Sequence, residues 1–282
     1  MARFEFMKWQ GAGNDFVVVD CFKETVENYA QTAVAVCDRY FGVGADGLVL
    51  ILPSEKADFR MRIFNSDGSE AEMCGNVTRC VAKYAYESGL VKRAQIEMET
   101  KAGLIRPEVL LGADGKVESV RVNMGQPILA AQDVPVQGFG REQVVAAPLE
   151  VAGETYAMTC VSMGNPHCVI FVDDISAVEL EKIGPLIETH AIFPKKTNVE
   201  FAQVLKEDEI RMRVWERGAA VTMACGTGSC ATLVAAVLNG KAKRKAQLVL
   251  DGGRLLIEWS EADGCIYMTG PATLAFTGVY GD

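Results

Sequence analysis

The chain has 282 residues, of which 49% are hydrophobic and 23% are charged, and its formal net charge is −9. This length suffices for two domains of ordinary size, each with an apolar core. The negative charge argues against a nucleic-acid partner, because phosphate binding needs clustered lysine and arginine, and no apolar run is long enough to cross a membrane.

The cysteine content indicates the cellular compartment. There are nine cysteines and two histidines, with no Cys-x-x-Cys motif, whereas structural zinc needs closely spaced ligand pairs. Charge interrupts the first residues, Met1–Glu5, so we expect no secretion signal and no disulfide framework. We therefore expect a cytoplasmic protein without a metal site, in which most cysteines are reduced and buried.

The first half of the chain alternates between strand and helix patterns. Its predicted elements are strands at 17–19, 48–52 and 59–64, helices at 29–40 and 75–88, and three strands between 95 and 124. The second helix is predicted from an apolar stripe at helical spacing, and Gly89 ends it as a C-cap.

The second half follows the same plan after a segment rich in proline and glycine at 125–148, which we interpret as the crossover between the halves. Its predicted elements are strands at 154–162, 168–172, 199–205 and 209–216 and helices near 179–189 and at 226–239. The last helix is apolar nearly all round, which is typical of a helix buried on every face.

The two halves repeat at a constant spacing of 151 residues. The matched segments are Gly13-Asn14 with Gly164-Asn165, Arg60–Phe64 with Arg211–Trp215, Cys74-Gly75 with Cys225-Gly226, and Gly89 with Gly240. We therefore predict two copies of one unit, 1–124 and 149–282, each with strands wrapped around a central helix.

A glycine-rich segment, Gly42–Gly47, matches the dinucleotide-binding pattern G-x-G-x-x-G. That pattern has this meaning only between a strand and the helix that it opens. Here a predicted helix precedes it and a predicted strand follows, so we interpret it as a loop.

Cys74 and Cys225 differ from an ordinary buried cysteine in three ways. Each precedes a glycine, each lies where a helix begins, and each holds the same place in the repeat. The amides and dipole of a helix start lower the pKa of a thiol, so we expect both thiols to be reactive. Cys80 and Cys230 lack these features, and we expect them in the core.

The segments around these cysteines are rich in asparagine, at positions 14, 65, 76, 165 and 198. Asparagine is also an ordinary turn former, so each one alone has a structural explanation. Glu216-Arg217 could be a solvated pair, and a lone histidine such as His167 is more often structural than catalytic. His190 shows no motif and is interpreted as structural.

Seven short stretches together resemble the diaminopimelate epimerase family. They are Gly11–Phe16, Phe64–Gly68, Met73–Asn76, Gly164–His167, Thr197–Phe201, Trp215–Gly218 and Ala224–Gly228. The two Cys-Gly motifs alone would indicate only the wider group of cofactor-independent amino-acid racemases. One departure is Val77-Thr78, since the family usually has glycine after Cys-Gly-Asn.

The resemblance implies an α+β fold of two pseudo-symmetric halves, each a mainly antiparallel, β-barrel-like sheet around a central helix, with the active site in the cleft. It also implies interconversion of LL- and meso-2,6-diaminoheptanedioate without pyridoxal phosphate or another cofactor. Cys74 and Cys225 would be the acid/base pair, with His167 and Glu216 tuning the thiols. The positions that match substrate-binding residues are Asn14, Asn65, Gly75, Asn76, Asn165, Asn198, Glu216, Arg217, Gly226 and Thr227.

Three alternatives stay open. A related racemase could act on another amino acid, such as histidine or proline. A thiol redox protein could use Cys74 and Cys225 as a switch, and a binding module for small anions would tolerate serine at both positions. The expected partner is a small amino-acid substrate, and the oligomer could be a homodimer.

Overall fold

The computed structural model of the chain describes residues 3–281. Met1 and Ala2, which entered the argument against a secretion signal, and Asp282 lie outside the described residues. The chain forms two compact units. The first comprises residues up to Asn123 together with those from Thr269 onwards, and the second comprises Met124–Met268.

The elements follow one another as two similar series. The first series is β1 (Phe4–Gly11), β2 (Asn14–Asp20), α1 (Tyr29–Cys37), β3 (Gly47–Leu52), β4 (Phe59–Asn65), β5 (Glu70–Ala71), α2 (Gly75–Glu87), β6 (Met98–Thr100), β7 (Gly103–Ile105), β8 (Glu108–Leu111) and β9 (Val117–Asn123). The second series is β10 (Ala147–Val151), β11 (Glu154–Ser162), β12 (Pro166–Phe171), a 3-10 turn (Ile175–Ala177), α3 (Leu180–Glu188), β13 (Asn198–Lys206), β14 (Glu209–Glu216), β15 (Ala220–Thr222), α4 (Gly226–Leu238), β16 (Lys245–Leu250), β17 (Gly253–Trp259), β18 (Ile266–Gly270) and β19 (Thr273–Tyr280).

The sheet of the first unit has the strand order β19-β1-β2-β3-β4-β6-β7, with β5 paired to β4. Neighbours are antiparallel except for the parallel pairs β2–β3 and β4–β6. The helix α2 packs against β1, β2, β8 and β9. Its predicted apolar stripe is buried, since Val77, Cys80, Val81 and Ala85 are all 0% exposed.

Seven consecutive strands of the second, 11-stranded sheet repeat this order as β10-β11-β12-β13-β14-β16-β17, with β15 paired to β14. The parallel pairs are again the third strand with the fourth and the fifth with the sixth in this order, namely β12–β13 and β14–β16. The helix α4 packs against β11 to β14, β16 and β17. Its all-round apolar sequence is explained by this enclosure, with Leu233 and Val234 completely buried.

The repeat at 151 residues is a repeat of structure. The helices α2 and α4 begin at the equivalent residues Gly75 and Gly226 and have equal length. The parallel strands keep the same register, with Phe16 opposite Gly47 in the first unit and His167 opposite Asn198 in the second. The predicted α+β class with two related, mainly antiparallel halves is confirmed, and among residues 3–281 neither strand order closes into a barrel.

The limits of the units differ from the expected halves at the C-terminus. The last strand, β19, pairs with β1, with Tyr280 opposite Phe4, so residues from Thr269 onwards belong to the first unit. The segment 125–148 lies within the second unit, where Ile128 forms an isolated bridge with Ser162. A strand that pairs with the other end of the chain leaves no local signal of its partner.

Local structure differs from the predictions at several places, and strands such as β1 and β10 were not predicted. The first helix ends at Cys37 and not at Tyr40, because Asp38 Oδ1 accepts hydrogen bonds from the N–H groups of Tyr40 (2.7 Å) and Phe41 (2.8 Å). The region between 95 and 124 holds four short strands where three were predicted. Within residues 3–281, no helix has the length and apolar character needed to span a membrane.

Candidate active site

Cys74 is the N-cap residue of α2, and its backbone is extended (φ −142°, ψ 117°). The N–H groups in the first turn of a helix lack partners within the helix, and the helix dipole makes them attractive to anions. Gly75 follows at once and carries no side chain that would shield these groups. The half-buried thiol therefore lies beside a set of backbone donors suited to a carboxylate.

Asn14 connects the thiol to its surroundings. Its Oδ1 accepts a hydrogen bond from Asn76 Nδ2 (3.1 Å) and lies 3.7 Å from Cys74 Sγ. Its Nδ2 donates to Asp46 Oδ2 at 2.5 Å, and this bond fixes which way the amide of Asn14 faces. Asn76 Oδ1 is buried and has no hydrogen-bond partner among the described residues, so it remains available to a donor from a ligand.

The unusual Val77-Thr78 pair does not disturb the first turn of α2. Thr78 N–H donates to the Cys74 carbonyl at 3.0 Å, as in a regular helix, and the Thr78 hydroxyl donates to the same oxygen at 2.9 Å. The side chain of Val77 is completely buried. Valine at this position therefore contributes to the core of the first unit.

Cys225 is the N-cap residue of α4 and repeats the position of Cys74 with similar dihedrals (φ −122°, ψ 112°). It is more deeply buried, with 5% of its surface exposed. Gly228 N–H donates to its Sγ at 3.4 Å, and Thr227 Oγ1 lies 3.5 Å from the same sulfur.

A chain of hydrogen bonds leads from this thiol into the core. Asn165 Nδ2 donates to Thr227 Oγ1 at 3.3 Å, and Asn165 Oδ1 lies 3.0 Å from His167 Nε2. His167 Nδ1 lies 2.7 Å from Glu200 Oε1. Because Thr227 Oγ1 accepts from Asn165, its own hydrogen is available to donate to the sulfur of Cys225.

Glu216 is the second acid beside this thiol. Its carboxyl accepts a hydrogen bond from the Thr222 hydroxyl and is hydrogen-bonded to Cys225. Burial is the largest influence on Glu216 and raises the pKa of its carboxyl, while the hydrogen bonds from Thr222 and Cys225 oppose the rise.

The expectation of a lowered pKa is wrong for Cys225. Burial raises the pKa of this thiol well above its ordinary value, and the charges of Glu216 and Glu200 raise it further. A helix dipole contributes only about 0.3–1 kcal/mol at an exposed site, whereas full burial can shift a pKa by about 3–5 units. Desolvation therefore outweighs the helix start in the ligand-free protein.

Both polar atoms of the Asn198 side-chain amide are hydrogen-bonded to backbone groups. Its Nδ2 donates to the Pro166 carbonyl at 2.8 Å, and its Oδ1 accepts from Arg217 N–H at 2.9 Å. Arg217 in turn donates from its guanidinium to the Lys195 carbonyl at 3.0 Å. Asn198 thus fixes the backbone at Arg217, and contact of either residue with substrate stays a prediction.

The structure brings most of the predicted residues into two groups, one in each unit. The first group holds Asn14, Cys74, Gly75 and Asn76, and the second holds Asn165, His167, Glu216, Cys225, Gly226 and Thr227. Asn65 ends β4, and its amide donates to Ser69 Oγ at 2.9 Å. Cys80 and Cys230 are completely buried, as expected, and burial raises the pKa of Cys80 to about 12.

Two residues that are hydrogen-bonded to these groups were missed by the motif reasoning. Glu200 lies in the buried stretch Asn198–Ala202, where a charge in an otherwise unexposed strand is the signal that could have found it. Asp46 belongs to the glycine-rich loop Gly42–Gly47, which lies between α1 and β3 as expected and holds Asn14. No local pattern in the sequence indicates the contact between Asp46 and Asn14.

The fold matches those of solved racemases and related enzymes. A PhzF-family phenazine biosynthesis protein from Bacillus anthracis superposes with a TM-score of 0.72 at 17% identity and covers 100% of both chains. A probable proline racemase from Agrobacterium radiobacter gives a TM-score of 0.67 at 18% identity, covering 98% of this chain and 92% of its own. At such identities the likeness shows the fold alone.

Sequence comparison is more specific. The family described as diaminopimelate epimerase matches residues 6–130 and 159–275. The diaminopimelate epimerase of Pelotomaculum thermopropionicum is 58% identical over 278 residues, covering 98% of each chain, and that of Acetivibrio thermocellus is 53% identical, covering 97% of each. The chain belongs to the diaminopimelate epimerase family, and it is an isomerase of the epimerase type.

Proposed function

We propose that this chain interconverts LL- and meso-2,6-diaminoheptanedioate, with Cys74 and Cys225 as the acid/base pair and without a cofactor. The observation that carries the proposal is the placement of these cysteines, each an N-cap of the central helix in its own unit. Membership of the family supports the substrate. A thiol redox protein would not need the surrounding asparagines and Arg217, and an anion-binding module would not need a thiol at both helix starts.

Inversion at a carbon requires a base on one face and an acid on the other. One cysteine, as thiolate, takes the α-proton, so that a C–H bond breaks and an S–H bond forms. The other cysteine, as thiol, gives its proton to the opposite face, so that its S–H bond breaks and a new C–H bond forms. A single base would have to carry the proton across the substrate, whereas two thiols need not move.

The intermediate carbanion needs stabilisation, because an α-proton is far less acidic than a thiol. The backbone amides at the starts of α2 and α4 are suited to bind the α-carboxylate and the charge that develops beside it. They belong to Gly75 and Asn76 in the first unit and to Gly226 and Thr227 in the second.

The polar side chains supply recognition. We assign substrate binding to Asn14, Asn65, Asn165, Asn198, Glu216 and Arg217, and tuning of the thiols to His167 and Glu216. The unpartnered Oδ1 of buried Asn76 supports a site that is completed by a donor such as an amino group.

The proposed activity places the chain in lysine and cell-wall precursor biosynthesis, in the cytoplasm. We also propose a homodimer. Its support is β19, the edge strand of the first unit, which exposes Leu274, Phe276 and Val279, and exposed apolar edge strands favour pairing with another chain. Sedimentation equilibrium at micromolar concentration distinguishes this dimer from a monomer.

Proton exchange tests the activity directly. The purified chain is incubated in D₂O with LL-diaminopimelate, meso-diaminopimelate, proline, histidine or alanine, and deuterium at the α-carbon is followed by NMR. We expect exchange together with LL–meso conversion for diaminopimelate and negligible exchange for the other three. Equal exchange into histidine or proline would show a racemase of another substrate, and no exchange into diaminopimelate would refute the proposal.

A further inference from the structure

Glu200 is a buried acid that the proposed reaction leaves without a role. It lies on β13 and is 0% exposed. One carboxylate oxygen, Oε1, meets His167 Nδ1 at 2.7 Å. The other, Oε2, is buried without a hydrogen-bond partner among the described residues. A buried carboxylate oxygen in this state is costly, so its retention calls for an explanation.

The carboxylate lies directly against the turn that carries Cys225. A Cβ atom added to Gly228 would be 2.6 Å from Glu200 Oε1 and 3.2 Å from Cys225 Sγ. Because Gly228 has no side chain, the Glu200 carboxylate and the Cys225 thiol can both lie against its Cα. The N-terminal end of α4 also stabilises a negative charge at this place.

The repeat shows that the acid and the glycine occur together. The residues equivalent to Glu200 and Gly228 in the first unit are Val49 and Val77, and both are completely buried. In the first unit, valine stands in place of the helix glycine, and the equivalent strand residue is also valine and not an acid. The second unit thus has a charged group at a place where the first unit has ordinary core.

The strands β11 to β14, which pack against α4, carry several titratable groups besides Glu200 on β13. They include Cys160 on β11, Cys168 and His167 on β12, and Glu216 on β14. Cys168 is hydrogen-bonded to Cys160, and this bond, burial and the charge of Glu200 raise the pKa of the Cys168 thiol. Their counterparts in the first unit are Trp9, Val17, Phe16, Val49 and Asn65, none of which titrates in the accessible pH range.

We propose that Glu200, held by His167 beneath the first turn of α4, is a positioning residue that keeps the Cys225 thiol protonated in the ligand-free enzyme. On the proposed function, on which this inference rests, Cys225 then begins as the proton donor and Cys74 supplies the base. The negative charge acts on Cys225 through the space left by Gly228. This agrees with the raised pKa of the thiol, to which burial contributes most and Glu216 and Glu200 contribute next.

The test is a pH titration of Cys225 in the enzyme without substrate. Wild type, Glu200→Gln, Glu200→Asp and Glu188→Gln are alkylated with iodoacetamide between pH 5.5 and 10, and labelling of Cys225 is quantified by peptide mass spectrometry. Glu188 is a matched control, because it is a buried acid of the same unit that binds Trp215 Nε1 at 2.7 Å.

Loss of the Glu200 charge should make the thiolate easier to form. In Glu200→Gln, the labelling inflection should move to lower pH by about one unit, so that labelling at pH 7.5 is about tenfold faster. Glu200→Asp should restore an inflection near that of wild type, and Glu188→Gln should not move it. An unchanged or higher inflection in Glu200→Gln would overturn the proposal.

The wild-type chain provides a second test that does not depend on the folding of a variant. Its Cys225 inflection should lie above the value of about 8.5 for an ordinary cysteine, and a lower value would refute the proposal. Neither measurement uses diaminopimelate. Failure of this inference is therefore distinguishable from failure of the proposed function, which the exchange experiment tests.

Discussion

Cys74 and Cys225 share one backbone position, yet their neighbours differ in charge. The thiol of Cys74 lies near the neutral amide of Asn14, whereas Cys225 is influenced by Glu216 and Glu200. A reaction that needs one thiolate and one thiol is served by such a difference, since identical surroundings would favour the same protonation state in both.

Sequence reasoning located these residues but not their titration behaviour. The repeat and the Cys-Gly motifs identified both helix starts, because local chain geometry follows from local sequence. The pKa of Cys225 depends on burial and on Glu200, which lies 25 residues earlier in the chain. Such tertiary contacts have no local signature.

Arg217 provides a prediction at the scale of a single residue. Arg217→Ala should lower kcat/KM for diaminopimelate by about 30- to 150-fold, mainly through KM, because a charged hydrogen bond contributes about 2–3 kcal/mol when its partner is otherwise left unpaired. Steady-state kinetics should show a much smaller loss for an analogue without the distal carboxylate.

Arg254→Ala is the matched control for this change. Arg254 is exposed and pairs with Glu209 at 2.9 Å, so its loss should leave kcat/KM within about twofold, as is usual for surface ion pairs. An equal loss for substrate and truncated analogue in Arg217→Ala would show that this arginine does not bind the distal group.

At the scale of elements, α3 illustrates how packing overrides helix propensity. Gly184 lies in the middle of this helix, where alanine would ordinarily be preferred by about 1 kcal/mol. A Cβ atom there would be 2.6–2.8 Å from atoms of Trp215. Trp215 is itself fixed by its bond to Glu188, so it cannot move away freely.

Gly184→Ala should therefore lower the free energy of unfolding by about 1–3 kcal/mol, as overpacking of a core does. Urea denaturation measures the change. Lys182→Ala, an exposed substitution in the same helix, should alter stability by no more than about 0.5 kcal/mol. An increase in stability for Gly184→Ala would contradict this account of the contact.

The elements themselves were largely predictable, because apolar periodicity reports which face of a strand or helix is buried. The helices α2 and α4 were found from an apolar stripe and from an all-round apolar run. The end of α1 was misplaced, since the hydrogen bonds that Tyr40 and Phe41 N–H donate to Asp38 Oδ1 depend on side-chain geometry. Short strands such as β6 and β7, with three residues each, are too brief to show a period.

At the scale of the whole molecule, one topology occurs twice and each copy contributes one cysteine. The constant spacing made this repeat visible in the sequence. The return of β19 to pair with β1 was not visible, because nothing in residues 273–280 identifies a partner strand at the other end of the chain.

The central claim is that both thiols are needed to invert the α-carbon. The measurement is LL-to-meso conversion by Cys74→Ala and Cys225→Ala, with Cys265→Ala as a control for removal of a thiol outside both groups. We expect each of the first two variants to lose conversion nearly completely while remaining folded by circular dichroism, and the control to keep wild-type activity. Near-normal conversion by either Cys74→Ala or Cys225→Ala would contradict the two-thiol mechanism.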